Sequence, residues 1–496
     1  MSKLIFEKSY PGRRAFKFPK LDVPAKNLEN HIPDKLFRHT PPALPEISEL
    51  DLVRHYTTLS QKNICVDSAF YPLGSCTMKY NPKINERIAA FEEFASLHPY
   101  VNPAHCQGML ALMYETEKLL CEICGMAEFT LQPAAGAHGE LTGLLMIRAY
   151  HKFIGGARTK ILVPDSAHGT NPASAAAAGF QTVEIKSDSR GMVDVDELRL
   201  IIDSETAALM LTCPNTLGIF EKDILQIADI VHKKGGLLYC DGANLNALMG
   251  IARPGDMGFD VIHVNLHKSF STPHGGGGPG SGPVGVCEKL KRFLPLPKIE
   301  KKEDRYIFSD DLPLTIGKVR SFYGNIGVVV RALAYIRALG KEGLKNVSRY
   351  AVLNANYLLK LLQEKFDIPF YESVMHEFVV SARRHKMRGV KAVDIAKALL
   401  DKGFHPPTVY FPLIVEEALM IEPTETESKQ TIDAFAQALL EIDQESIAER
   451  EKLINAPQKQ VVCRLDEVAA ARKPDLAWKS VEDQKNNKTD HSDHNN

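Results

Sequence analysis

From about Met109 the chain alternates short apolar runs with segments of helical period, and this alternation restricts its fold more than any other feature. Residues 160–163, 182–185, 207–212, 236–240, 261–264 and 283–287 read as strands. Between them, 173–178, 195–202 and 222–234 carry apolar residues at helical spacing. Strands that are apolar throughout must be covered on both faces. The pattern therefore predicts an α/β architecture, a mostly parallel sheet with helices on either side. Ligands in such sheets bind beyond the carboxyl ends of the strands, so the residues that follow each strand have the strongest claim to chemistry.

Ala134-Ala135-Gly136-Ala137-His138-Gly139-Glu140 opens a helix ahead of this series. Backbone N–H groups of Ala135, Gly136 and Ala137 at such a start can cradle a phosphate, because the first donors of a helix lack partners and its dipole favours an anion. The run 160–163 leads into Asp165-Ser166-Ala167-His168-Gly169-Thr170-Asn171. The run 207–212 ends on Thr212 and enters the turn Cys213-Pro214-Asn215-Thr216. After 236–240 comes Asp241-Gly242-Ala243-Asn244, and a carboxylate that ends a buried strand needs a cation or several donors. After 261–264 comes Asn265-Leu266-His267-Lys268-Ser269.

Taken singly, each has an ordinary reading: small residues often open helices, loop histidines are mostly structural, and a lysine at a strand end can snorkel to solvent. In strand order they make a set. A lysine closing a buried strand beside a histidine is expected to have a lowered pKa and to offer a neutral amine, which forms a Schiff base with an aldehyde cofactor. The set fits pyridoxal phosphate: Lys268 for the aldehyde, Asp241 for the pyridine nitrogen, His168 for the ring face and the helix start at residues 136–138 for the phosphate. A carboxylate at the nitrogen keeps it protonated, so the ring can accept electrons from a carbanion.

The run Gly275-Gly276-Gly277-Gly278-Pro279-Gly280 matches G-x-G-x-x-G in form only. A dinucleotide site needs a helix starting inside the motif, whereas Pro279 and Pro283 interrupt it and a strand follows. A glycine loop beside a cofactor is expected instead. The nine cysteines are odd in number and scattered, and Cys121-Glu122-Ile123-Cys124 has no second pair at zinc-ribbon spacing. Cys121 and Cys124 are expected to pack within a helix, and no metal site is expected. Sixty basic against sixty-one acidic residues give no argument for a nucleic-acid or anionic-membrane partner. No apolar run reaches the roughly 18 residues of a membrane span. The first twenty residues mix Glu7 with Lys and Arg and have no secretory apolar run, so a cytoplasmic setting is expected.

Residues 1–71 are rich in Pro and charge, with one helix predicted near 46–61; beyond them, a second helix is predicted near 83–94, between the irregular segments 72–80 and 99–105. Helical segments at 326–339 and 342–367, a strand at 378–380 and helices at 393–400 and 429–446 predict a smaller α+β domain. The polar end, 471–496, reads as a solvated tail.

The segment from Asn265-Leu266-His267-Lys268 through Ser269-Phe270-Ser271-Thr272-Pro273-His274 to the glycine run resembles the pyridoxal-lysine segment of the glycine cleavage P-protein family. Further matches are Phe6-Glu7-Lys8-Ser9, Pro72-Leu73-Gly74-Ser75-Cys76-Thr77-Met78-Lys79, Gln132-Pro133-Ala134-Ala135-Gly136-Ala137, Ala167-His168-Gly169-Thr170-Asn171-Pro172-Ala173, Tyr239-Cys240-Asp241-Gly242-Ala243-Asn244 and Leu419-Met420-Ile421-Glu422-Pro423-Thr424-Glu425. They run in order over roughly residues 5–478 and match the lysine-bearing half of the two-subunit form.

The resemblance implies an aspartate-aminotransferase-like, fold-type-I domain plan: an arm (1–75), a large cofactor domain (76–335), a small domain (336–455) and a carboxyl-terminal extension (456–496). It implies pyridoxal 5'-phosphate held by Lys268, Asp241, His168, Asn244 and His267 with the helix start at Ala135, Gly136 and Ala137. Thr212 and Asn215 are both candidates for the ring hydroxyl, since Cys213 stands where the family often has Asn. The implied activity is decarboxylation of glycine with transfer of the aminomethyl group to the lipoyl disulfide of H-protein. The implied partner is a paralogous subunit 1, in an α2β2 assembly. A different decarboxylase of the same fold and a non-catalytic assembly subunit are the alternatives. Ser75, Cys76, Thr77, His98, Asn102 and His105 are polar but equally explained by solvation or capping, and are not assigned to catalysis.

Overall fold

The computed structural model describes residues 3–478 apart from 41, 157, 276, 277, 371 and 475; the predicted polar tail lies outside the described residues from 479 onward. The chain forms two compact units, one comprising residues up to Ile64 and from Gln458, the other Cys65–Pro457. The first contains helix α1 (Glu49–Ser60), whose N-cap Ser48 hydroxyl accepts the Asp51 N–H, and a stacked pair, Phe6 on Trp478, with ring centroids 4.8 Å apart.

The second unit opens with α2 (Lys83–Ala89) and α3 (Gln107–Cys124), followed by β1 (Glu128–Thr130) and α4 (Gly136–Phe153). The alternating region follows as β2 (Lys160–Pro164), α5 (Thr170–Ala177), β3 (Gln181–Ile185), α6 (Val195–Ile201), β4 (Thr206–Thr212), α7 (Ile224–Lys233), β5 (Leu237–Gly242), β6 (Val261–Val264) and β7 (Val284–Val286). These strands make one seven-stranded sheet in the order β1-β7-β6-β5-β4-β2-β3. All are parallel except β7, which runs against both β6 and β1.

The continuous apolar runs have a direct cause. Leu162, Leu209, Leu238 and Ile262 face one core, while their neighbours Ile161, Met210, Tyr239 and Val261 face the other. With both faces buried, the two-residue period carries no polar positions. β1 was not predicted, since three residues show no period; Phe129 pairs with Gly285 and extends the sheet edge. β5 runs two residues past its predicted end, so Asp241 lies inside the strand. In the last turn of α3, Cys124 is fully buried in the core, and burial pushes the Cys121 thiol up to about 11.

A hairpin, β8 (Lys298–Lys302) with β9 (Arg305–Ser309), leads to the long α8 (Ile326–Leu362), which departs from helical geometry at Gly340. Then come β10 (Phe378–Ser381), α9 (Ala392–Asp401), β11 (Thr408–Val409), β12 (Ala418–Ile421) and α10 (Lys429–Ala448). The three strands form an antiparallel sheet in the order β10-β12-β11, with its own core around Phe378, Leu419, Ile421 and Phe435. An isolated bridge from Leu73 to Ile421 adds the segment before Gly74 to this sheet. Among the described residues, no helix is long and apolar enough to cross a membrane.

Candidate active site

The carboxyl ends of β4, β5 and β6 and the amino-terminal ends of α4 and α5 surround a cavity of about 220 Å³. Gly136, Ala137, His168, Thr212, Asp241, Asn244, His267 and Lys268 line it, bringing together eight residues chosen from sequence. Two others lie elsewhere. Ala135 is the N-cap of α4 and does not line the cavity. Asn215 turns away: its Nδ2 donates to the Gly191 carbonyl (2.7 Å) and its Oδ1 accepts the Leu217 and Ile219 N–H groups (3.0 and 3.1 Å). It holds the turn after β4, as asparagines in turns commonly do. That leaves Thr212, whose hydroxyl is buried without a partner, as the candidate for a ring oxygen.

Asp241 is 3 % exposed and well supplied with donors. Asn171 Nδ2 donates to Oδ2 at 2.8 Å and the Ala243 N–H to Oδ1 at 3.0 Å. His263 Nε2 lies 3.3 Å from Oδ1, while its Nδ1 is 3.0 Å from the Tyr239 hydroxyl. When Tyr239 donates to Nδ1, the ring carries its proton on Nε2, facing the carboxylate. Burial alone would push Asp241 up, but His263, the Asn171 and Ala243 donors and Lys268 together hold it below the usual carboxylate range. The carboxylate is therefore ionised at neutral pH.

Lys268 lies in the turn after β6, half-buried, and its Nζ donates to the Ser75 carbonyl at 2.6 Å. Burial, then His274 and Lys268, lower His267 to about 3, so its ring is neutral and pairs with Ser281 backbone at 3.2 Å. His168 Nδ1 sits 2.8 Å from Thr170 Oγ1, which donates to Glu140 Oε1 at 2.7 Å, and the imidazole edge meets the Phe411 ring at 5.6 Å. These contacts fix the imidazole plane against the cavity.

The start of α4 has no side-chain cap, leaving its first N–H groups available. A Cβ on Gly136 would lie 2.7 Å from Asn265 Nδ2, so any larger residue at the helix start would have to push the Asn265 side chain aside. An uncapped helix start, an orphaned Thr212 hydroxyl, an ionised buried carboxylate and an amine around one cavity fit the phosphate, hydroxyl, ring nitrogen and aldehyde of pyridoxal phosphate.

Beside these residues stands a cluster from the three-stranded sheet that no sequence pattern pointed to. His376 and Glu377, just ahead of β10, line the cavity, and their polar atoms lie within 4.8 Å of those of Glu422, the residue after β12. His376 is 1 % exposed, with neither ring nitrogen hydrogen-bonded, and burial with Lys268 nearby lowers it to about 3. Burial raises Glu377 well above the ordinary carboxylate value and Glu422 to about 7. Asn244 joins the cluster, donating to Glu422 at 2.9 Å and Thr77 at 2.6 Å. Of the six polar residues left unassigned, Ser75 and Cys76 line the cavity. Thr77 donates to Glu422 at 2.7 Å, and Asn102 caps a short turn.

Two family models account for most of the chain: glycine cleavage system P-protein over residues 23–305, and glycine dehydrogenase, C-terminal domain, over 347–463. The chain belongs to the glycine cleavage P-protein family. Among relatives of this P-protein is the probable glycine dehydrogenase (decarboxylating) subunit 2 of Caldanaerobacter subterraneus subsp. tengcongensis, 59% identical over 96% of this chain and 99% of its own. The protein of the same name from Listeria innocua is 58% identical over 96% and 98%. The P-protein fold is shared with a crystal structure of glycine decarboxylase (P-protein) of the glycine cleavage system in inhibitor-bound form, at a TM-score of 0.71 and 23% identity, covering 84% of this chain and 94% of that one. A Burkholderia pseudomallei sphingosine-1-phosphate lyase follows at 0.61 and 15%, covering 84% and 95%. These likenesses agree with the fold-type-I class expected from sequence.

Proposed function

We propose that this chain is the lysine-bearing subunit of a glycine-decarboxylating enzyme: with pyridoxal 5'-phosphate it removes CO2 from glycine and passes the aminomethyl group to the lipoyl disulfide of H-protein. One lipoyl sulfur takes the carbon and the other leaves as a thiol. The observation that carries this reading is the convergence of Lys268, Asp241 and the uncapped start of α4 on one cavity in a P-protein chain.

Bound pyridoxal phosphate supplies an aldehyde carbon for the substrate amine and a ring that takes up the electron pair left by departing CO2. The protein's residues divide the remaining work. The first N–H groups of α4 would hold the phosphate, and Thr212 the ring hydroxyl. Asp241, kept ionised by Asn171, Ala243 and His263, would hold a protonated ring nitrogen. His168 would present its imidazole to the ring face. Lys268 would hold the aldehyde carbon, and its amine lies where it could move a proton at the reacting atoms. His376, neutral and with neither ring nitrogen hydrogen-bonded, offers one N–H to the glycine carboxylate. A neutral donor positions that carboxylate without stabilising its charge against loss as CO2.

Relatives named as subunit 2 support assembly with a subunit 1, and an α2β2 arrangement in the cytoplasm fits that role. The test combines the chain with subunit 1, lipoylated H-protein and carboxyl-labelled glycine. Labelled CO2 that requires all three supports the reading. Release that does not need H-protein assigns a simple decarboxylase, and no release in any combination assigns an assembly role.

A further inference from the structure

Ser75 is one of the few non-glycine residues in the left-handed region, at φ 63°. Three contacts surround this strained residue. Its carbonyl accepts Lys268 Nζ at 2.6 Å, its N–H donates to Glu377 Oε2 at 2.7 Å, and the preceding Gly74 is pinned to the small sheet. Gly74 N–H donates to Met420 O at 3.2 Å, its carbonyl accepts the Thr408 hydroxyl at 2.8 Å, and a Cβ there would come within 2.7 Å of Met420 backbone. The loop is thus tied to β12 on one side and turned by Ser75 so that a carbonyl points at the amine on the large sheet. Glu377, buried at the foot of β10, grips the amide on the other side of that turn.

We propose that the Ser75 carbonyl is the dock for the Lys268 ammonium whenever that amine is not bonded to the cofactor, and that Glu377 is a positioning residue that holds Ser75 in the left-handed turn the dock requires. This rests on Lys268 being the cofactor lysine. A bonded lysine that is displaced by substrate needs a defined place close by. An ammonium on a carbonyl is a charge-assisted hydrogen bond, so the dock favours the displaced state. Because Ser75 bridges the two sheets, the same contact couples the small domain to the displacement.

The test uses the full chain assembled with subunit 1 and loaded with cofactor, without H-protein. Glycine is titrated while the cofactor absorbance reports displacement of the lysine. Glu377→Leu removes the grip on Ser75 and is expected to raise the glycine concentration for half-conversion about tenfold, the size of one charge-assisted bond. Glu377→Gln keeps an oxygen for the Ser75 N–H and is expected within twofold of wild type. Ser75→Val, whose branched side chain resists the left-handed region, is expected to match Glu377→Leu and carries the test if that variant does not fold. In cofactor-free protein, acetic anhydride labelling of Lys268, read by peptide mass, is expected to rise in both disruptive variants, since the amine is no longer held against the Ser75 carbonyl. A disruptive variant at the wild-type glycine concentration, or Glu377→Gln shifted as far as Glu377→Leu, overturns the dock. Borohydride that fixes no cofactor on Lys268 of the wild type overturns the underlying reading instead.

Discussion

The Asn171 side chain donates to Asp241 across 2.8 Å, joining the start of α5 to the end of β5. Both residues are buried, and the amide replaces the water that a carboxylate at this depth has lost. Asn171→Leu removes this donor and raises the pKa of Asp241. An acid whose folded pKa is held low stays ionised above that value and is lost as pH falls through it. The acid limb of the rate profile should therefore move upward by about one unit, the size of one hydrogen bond to a charged group. Profiles of glycine-dependent CO2 release for the two proteins measure this, and coincident acid limbs would show that Asn171 does not support Asp241.

Asp241→Asn keeps the shape of the site and removes the charge. An amide cannot stabilise a protonated ring nitrogen as a carboxylate does, so the variant should retain part of its cofactor and lose about a hundredfold or more of its decarboxylation rate. Cofactor content and single-turnover CO2 release separate the two effects. Turnover near wild type would remove Asp241 from the electron-accepting role.

At Gly136 a methyl group would crowd the Asn265 side chain beside the first turn of α4. Gly136→Ala is expected to weaken pyridoxal phosphate about tenfold, or roughly 1.4 kcal/mol, while binding of the phosphate-free aldehyde changes little. Fluorescence titration with the two aldehydes reads the difference. Equal losses for both would place the phosphate elsewhere.

Glu221 tests the electrostatics away from the cavity. Burial pushes its carboxyl up to about 7, although the Val193 N–H and Asn215 Nδ2 donate to it at 3.1 and 3.2 Å. An acid with a raised folded pKa contributes stability below its unfolded value, and that stability is lost as pH rises toward the folded value. Unfolding free energy should thus fall by up to about 3 kcal/mol between pH 4.5 and 7 through this group. Urea unfolding of Glu221→Gln should show a shallower fall over that window, and an unchanged slope would mean that Glu221 ionises normally.

The strand-end side chains could be read from sequence because a parallel sheet buried on both faces leaves a plain signal: continuous apolar runs, with polar residues where each one stops. His168, Asp241 and Lys268 follow from that rule. His376, Glu377 and Glu422 do not, because they flank strands of a different sheet, and only the pairing of Leu73 with Ile421 and of β10 with β12 carries them to the cavity. Their one local signal was polar His376-Glu377 set directly against an apolar strand, the argument that had singled out Asp241 at the other end of its strand. Asn215 misled because an asparagine after a strand serves a turn as readily as a ligand, and here the turn takes both ends of its amide. β1 and the β8–β9 hairpin escaped notice because one is too short and the other too charged to show a period.

Lys268 is proposed as the residue to which the cofactor is covalently joined. Borohydride reduction of the cofactor-loaded assembly, followed by peptide mass mapping, tests it directly. One pyridoxyl group per copy of this chain is expected, on the peptide containing Lys268, and none in Lys268→Ala. A label on another lysine, or a loaded protein that borohydride leaves unlabelled, would contradict it.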